Sequence, residues 1–230
     1  MQYNTIFFDL DHTLWDFQTN STETLHEIIK HFGLLELGLP SAEKFISCYQ
    51  QINDKMWDDY RKGLIDRFTL RNSRFYKALL QFEMDEYELS LKMGEYYLRE
   101  SPLKKNLIPQ ALETLSYLKN KYDLHIITNG FNEVQFIKLE HSALAPFFTQ
   151  VITSEAANSK KPEAAIFEYA LKLTKAKASE SIMIGDSLEQ DIVGARNFGM
   201  AQVFFNPNKI KHAEQVSFEI TALDELRELL

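Results

Sequence analysis

The sequence predicts an α/β protein in which a doubly wound parallel sheet carries an inserted helical domain. Short, uninterrupted apolar runs of strand length recur along the chain, and segments of helical periodicity separate them. A stretch spanning residues 16–105 shows helical patterning without a convincing strand. The first run, Thr5-Ile6-Phe7-Phe8-Asp9, is apolar at successive positions, as a strand covered on both faces must be. Residues 16–105 then follow, rich in Lys, Glu, Leu and aromatic residues, with breaks at 33–40, Lys62-Gly63 and Ser101-Pro102 that divide them into several helices.

Beyond residue 105 the pattern alternates. A helix is expected over 109–118, where Leu112, Leu115 and Leu118 recur at helical spacing, and a strand over 125–128. Helices over 133–141, 163–173 and 188–197 alternate with strands over 151–154, 181–185 and 201–205, and a short helix closes the chain at 223–230. Strand and helix in alternation imply parallel pairing through right-handed crossovers. The expected domains are a core of residues 1–15 with 106–230 and a helical domain of 16–105.

Composition narrows the function classes. With 230 residues, 45% hydrophobic and 25% charged, the chain can bury a sizeable core, which excludes a disulfide scaffold and a disordered segment. Lys+Arg 25 against Asp+Glu 33 gives a net charge of −8, the wrong sign for gripping a nucleic acid polymer by its phosphates. An anionic ligand must therefore be met by a local site. The single Cys48 can form no internal disulfide, the N-terminus carries no basic-then-apolar leader, and no apolar run approaches the ~20 residues that span a bilayer. A cytoplasmic protein away from the membrane, monomeric or homodimeric, is expected.

Ligands of open parallel sheets bind beyond the carboxyl ends of the strands. After the first strand come Asp9 and Asp11, which share a side if the extended conformation persists. Two carboxylates held together repel unless a cation lies between them, and Mg²⁺ suits an all-oxygen site completed by a substrate phosphate. After the second strand, Thr128-Asn129-Gly130 offers a hydroxyl, an amide and backbone N–H groups open to an anion. Lys161 stands just before Pro162, which suits a first helical turn, and can neutralise a transferring phosphoryl group. After the fourth strand, Asp186 can ligate a metal directly while Asp191 supports it. Singly, each feature has an ordinary use as a cap, a turn or a solvated side chain. Together they bring carboxylates, a phosphate cradle and a lysine to one sheet edge.

These residues resemble the motifs of the haloacid dehalogenase superfamily of aspartate-nucleophile phosphatases. Phe8-Asp9-Leu10-Asp11-His12-Thr13-Leu14 is similar to its first motif, Ile127-Thr128-Asn129-Gly130 to its second, Lys161-Pro162 to its third, and Ile184-Gly185-Asp186-Ser187 with Asp191 to its fourth. The insert after the first motif resembles that superfamily's helical cap on a Rossmann-like core. More narrowly, Asp11-His12-Thr13-Leu14-Trp15-Asp16, Trp57 with Tyr60 and Gly63, and Thr128-Asn129-Gly130-Phe131 with Gln135 and Lys138-Leu139-Glu140 resemble the pyrimidine 5′-nucleotidase subgroup.

The resemblance implies a Mg²⁺-dependent phosphomonoester hydrolase acting on a small phosphate ester, a nucleoside monophosphate above all. Asp9 would be the nucleophile, Asp11 the general acid and base, and Thr128, Asn129, Gly130 and Lys161 the phosphoryl-binding groups. Asp9, Asp186 and the backbone carbonyl of Asp11 would hold the metal, with Thr13 and Asp191 supporting. His12 should point away from the two acids. Aromatics such as Trp57, Tyr60, Phe68 and Phe75 fit either a base-stacking face or the core of the helical domain. A sugar phosphate or phosphoglycolate is the alternative substrate, and a phospho-accepting signalling protein the alternative of another class.

Overall fold

The computed structural model describes residues 3–230. Two compact units are present: the residues through Phe17 together with Lys104–Leu230, and Gln18–Leu103.

The first unit is built on six parallel strands, β1 (Thr5–Phe8), β2 (Asp123–Thr128), β3 (Gln150–Thr153), β4 (Ser181–Gly185), β5 (Ala201–Phe205) and β6 (Phe218–Ile220), in the order β3-β2-β1-β4-β5-β6. β1 therefore lies in the interior, all four of its side chains buried. Its register, Phe8 level with Ile126 on one side and Ile184 on the other, brings the carboxyl ends of three strands to one line. Apolar side chains alternate into two cores. Ile6, Phe8, Ile126, Ile182 and Ile184 pack on one face, while Phe7, Ile127, Ile152, Met183 and Phe167 pack on the other. Helices were expected on both faces for this reason: the strands have no polar side to show to water.

The second unit holds most of α1 (Phe17–His31) and all of α2 (Ala42–Arg61), α3 (Arg67–Leu80) and α4 (Tyr87–Glu100). Ser41 caps α2 by accepting from the Lys44 N–H at 3.3 Å, and Asp66 caps α3 by accepting from the Thr69 N–H at 2.7 Å. Leu25, Ile28, Phe45, Tyr49, Phe75, Leu79, Met93 and Tyr97 form its core. Phe75 is thus a packing residue, whereas Phe68 is exposed.

The chain leaves and rejoins the first unit at one place. Trp15 bridges Leu107 in antiparallel fashion, the Asp16 N–H donates to the Asn106 carbonyl at 3.1 Å, and the Ile108 N–H donates to the Leu14 carbonyl at 2.9 Å. After this junction come α5 (Ala111–Leu118), α6 (Asn132–His141), the single turn α7 (Ser154–Ala157), and α8 (Ala164–Thr174). The helix expected over 188–197 is a π-helix, Leu188–Val193, followed by the short α9 (Gly194–Asn197), and the last short helix is α10 (Leu226–Leu229). No described helix is long and apolar enough to cross a membrane.

Candidate active site

Lys161 anchors the site. Its ammonium, 1% exposed, donates to Asp9 Oδ1 and Asp191 Oδ1 at 2.6 Å each and to the Ile127 carbonyl of β2 at 2.8 Å. All three donors of the group are spent on oxygen, which is how a lysine tolerates full burial. The backbone beneath it is clasped by Asn129: Oδ1 accepts from the Lys161 N–H at 2.8 Å, and Nδ2 donates to the Lys161 carbonyl at 3.0 Å and to Gln190 Oε1 at 2.9 Å. Pro162, expected in the first helical turn, stands ahead of α8, whose N-cap is Glu163.

Asp9 follows β1 directly, and its N–H donates to the Ile184 carbonyl of β4 at 2.9 Å, so its backbone is fixed by the neighbouring strand. Thr13 orders Asp186 at both ends: its hydroxyl donates to Oδ1 at 3.2 Å and accepts from the Asp186 N–H at 3.1 Å. Asp191, on the π-helix, reaches back so that Oδ2 accepts from the Ser187 N–H at 3.0 Å. Only glycine permits this at position 185, because a Cβ there would lie 2.3 Å from Asp191 Oδ2. Ligand atoms of Asp9, Asp186 and Asp191 fall within 4.8 Å of one another.

Asp11 is held by a different set of partners. The extended conformation stops at Phe8, His12 adopts a left-handed φ of 65°, and the Leu14 and Trp15 N–H groups both return to the Leu10 carbonyl at 3.0 and 2.9 Å. A tight turn closed by backbone hydrogen bonds replaces strand continuation, so the alternation from which a shared side for Asp9 and Asp11 was expected does not extend to Asp11. His12 is exposed and packs its ring 4.7 Å from that of Phe17. The Asp11 carboxylate instead accepts from Lys138 Nζ at 2.6 Å and from Gln135 Nε2 at 2.9 Å. Lys138 is itself buried, its ammonium 4.4 Å from the centroid of the Trp15 ring. Gln135 Nε2 also donates to Thr128 Oγ1 at 2.7 Å, and the Gly130 N–H donates to the same oxygen at 3.1 Å.

The electrostatics follow from this crowding. Burial pushes the Asp9 carboxyl well up, and the neighbouring Asp191 and Asp186 reinforce that against the pull of Lys161. Asp186 is pushed up to about 6 by burial and by the charge of Asp191. Burial disfavours the charged Lys161, but Asp191 and Asp9 outweigh it and hold the ammonium above its ordinary value. Burial also lifts Asp11, yet the Lys138 charge and the hydrogen bonds from Lys138 and Gln135 overcome it and keep the group below its usual range.

Of the residues singled out in the sequence, Asp9, Lys161, Asp186 and Asp191 converge, with Thr13 bonded to them. Thr128 and Gly130 stand at the end of β2 beside Gln135, while the Asn129 side chain is occupied with the Lys161 backbone. The acidic cluster contains the carboxylate of Asp191, and not that of Asp11. Gln135 and Lys138 received no role from sequence reasoning, although their spacing of three along one helix immediately after Thr-Asn-Gly is the signal that two polar side chains return to that strand end.

A family model described as haloacid dehalogenase-like hydrolase matches residues 3–199. The pyrimidine 5′-nucleotidase PynA of Streptococcus pneumoniae is 29% identical, the match covering 100% of this chain and 96% of the relative. The glyceraldehyde 3-phosphate phosphatase of Pyrococcus furiosus is 39% identical, over 98% of this chain and 92% of the relative. Among solved structures, the magnesium-bound HAD-hydrolase YfnB of Bacillus subtilis, described as revealing interdomain movement, shares a TM-score of 0.89 and 28% identity over 100% of this chain and 99% of that one.

Proposed function

This chain belongs to the haloacid dehalogenase-like hydrolases, and from that premise we propose that it hydrolyses small phosphate monoesters, pyrimidine nucleoside 5′-monophosphates foremost, through an aspartyl-phosphate on Asp9. The observation that carries the reading is the buried ion cluster, in which Lys161 joins Asp9 to Asp191 and the ligand atoms of Asp9, Asp186 and Asp191 lie within 4.8 Å. Three carboxylates and one ammonium leave two formal negative charges, and the donor set is oxygen alone, which fits Mg²⁺. Asp9, Asp186 and the Asp11 backbone carbonyl would hold it, with Asp191 supporting. When bound, the cation draws an anionic ester toward an anionic nucleophile and offsets charge on the phosphoryl group.

The chain's own residues supply the rest. An Asp9 carboxylate oxygen forms the bond to phosphorus while the ester P–O bond breaks. Asp11 gives its proton to the leaving alkoxide, then takes one from a water whose oxygen attacks phosphorus, releasing inorganic phosphate and restoring the Asp9 carboxylate. At rest the Lys138 ion pair favours ionised Asp11, the form that accepts water's proton; for the first step an arriving phosphate anion raises its proton affinity, and solvent supplies the proton that the leaving alkoxide then takes. Thr128 offers its hydroxyl proton to the phosphoryl oxygens as their charge redistributes, with the Gly130 backbone beside it, while the Lys161 ammonium, its three donors held by Asp9, Asp191 and the Ile127 carbonyl, contributes positive charge through Asp9. Asn129 acts through Lys161, by fixing its backbone.

Support for a nucleotide substrate is the full-length likeness to PynA. A small sugar phosphate is the second reading, favoured by the likeness to the glyceraldehyde 3-phosphate phosphatase. Phosphate release with Mg²⁺ across nucleoside 5′-monophosphates, sugar phosphates and phosphoglycolate, with Asp9→Asn as the blank, decides between them by kcat/KM. Preference for pyrimidine monophosphates supports the first reading, and preference for sugar phosphates or phosphoglycolate replaces the substrate while keeping the chemistry. Equal turnover by Asp9→Asn removes the nucleophile. A stable phosphoprotein that does not turn over makes the chain a phospho-acceptor instead.

A further inference from the structure

Two side chains on α6, Gln135 and Lys138, are buried and polar and make no bond to the ester in the reaction as written above. Their side-chain hydrogen bonds go to groups that are required, Asp11 and Thr128. Lys138 Nζ lies 2.6 Å from Asp11 Oδ1, and Gln135 Nε2 lies 2.9 Å from Asp11 Oδ2. Each carboxylate oxygen thus has its own donor, one charged and one neutral, which fixes the plane of the group as well as its position. The aromatic faces of Trp15 and Phe17, whose centroids are 4.4 and 5.7 Å from the ammonium, keep Lys138 from swinging away.

Gln135 also reaches Thr128. A hydroxyl has two acceptor sites and one proton. Thr128 Oγ1 accepts from the Gly130 N–H at 3.1 Å and from Gln135 Nε2 at 2.7 Å, so both acceptor sites are filled and the proton alone is left to give. The amide cannot serve both neighbours if reversed, because its oxygen would then meet the Asp11 carboxylate. Its own oxygen, Oε1, is buried without a partner in the present orientation. The chain keeps an unsatisfied acceptor in order to aim the two amide protons. Gly130 belongs to the same device, since a Cβ there would lie 2.3 Å from Gln135 Nε2.

We infer that Gln135 and Lys138 are positioning residues for proton transfer: together they hold the Asp11 carboxylate for the leaving group, and Gln135 in addition turns the Thr128 hydroxyl into an obligate donor to the phosphoryl oxygens. The inference rests on the phosphomonoesterase reading given above.

The test uses two esters with Mg²⁺, a nucleoside 5′-monophosphate, whose alkoxide needs a proton to leave, and p-nitrophenyl phosphate, whose phenolate does not. Lys138→Met should lose about ten- to hundredfold in kcat on the first and less than about threefold on the second, since general acid catalysis contributes about 10² to 10⁴ and only part of it depends on positioning. Lys138→Arg should restore most of the loss. Gln135→Met, which keeps the volume and removes both protons, should show the same leaving-group selectivity and, in addition, weaker competitive inhibition by inorganic phosphate. Lys138→Gln, retaining a donor without the charge, carries the same selective loss should Lys138→Met not fold. Equal losses on both esters, or an unchanged phosphate inhibition constant in Gln135→Met, overturn the inference alone. A wild-type protein inert on both esters overturns the phosphomonoesterase reading and takes the inference with it.

Discussion

At the scale of single residues, the site is arranged by side chains whose value lies in what they leave room for. Gly185 is the clearest. Its missing Cβ is the space in which the Asp191 carboxylate meets the end of β4, with contacts of 2.3 Å to Oδ2 and 2.4 Å to Cγ if the atom were added. Gly185→Ala should force Asp191 off Lys161 and the Ser187 N–H, costing about 1–3 kcal/mol as overpacking usually does, and should lower turnover more than tenfold. Chemical denaturation and phosphate release measure the two effects, and a Gly185→Ala enzyme with unchanged turnover would show that Asp191 need not stand where it does. Thr13 shows the complementary use of a small hydroxyl, donating to the side chain and accepting from the backbone of the same aspartate.

At the scale of elements, β2 couples a titrating group to the sheet. His125 is buried against Phe7, ring centroids 5.3 Å apart, with Nδ1 2.9 Å from Thr149 Oγ1. Burial holds its pKa below the ordinary 6.5, so the folded state binds fewer protons than the unfolded chain once the pH drops below that value. Stability from the neutral ring is therefore complete above 6.5 and is lost as the pH falls toward the folded-state value. His125→Phe should remove this part of the acid destabilisation, visible as a shallower fall in unfolding free energy from pH 7 to pH 5; parallel curves for the two proteins would contradict it. The same elements show what a sequence discloses. Continuous apolar runs identified β1, β2, β4 and β5 because a strand buried on both faces has one composition. β6 was missed because Phe-Glu-Ile is three residues long and only its Ile is buried. The π-helix read as an ordinary helix, since periodicity cannot register the extra residue that returns Asp191 to the strand end. In the site, residue types at strand ends were legible, whereas the direction of Asp11 was not, being set by a turn whose hydrogen bonds are backbone to backbone. The hold of Gln135 and Lys138 on Asp11 was equally hidden, because that carboxylate lies 124 and 127 positions away from them.

At the scale of the whole molecule, three carboxylates, Asp9, Asp186 and Asp191, are gathered in one group whose ligand atoms lie within 4.8 Å of one another. Mg²⁺ at a hundredfold excess over its dissociation constant should stabilise the folded chain by about 2.7 kcal/mol, a rise of about 5–10 °C in the unfolding midpoint for a unit of this size. Asp186→Asn should abolish that rise while leaving the metal-free protein no less stable than wild type, because it removes a carboxyl that burial and Asp191 push up to about 6. A metal-dependent rise that survives in Asp186→Asn would exclude this residue as a ligand. The junction at Trp15 and Leu107 has a consequence of a different kind. The outgoing and returning chains lie side by side, tied by the Asp16–Asn106 and Ile108–Leu14 hydrogen bonds, so the ends of the helical insert are already together before any of it is counted. Closing the chain across such an insert costs only about 0.6 kcal/mol more for each doubling of its length. Evolution can lengthen, shorten or exchange such an insert as a cassette without renegotiating the register of the sheet to which it is joined.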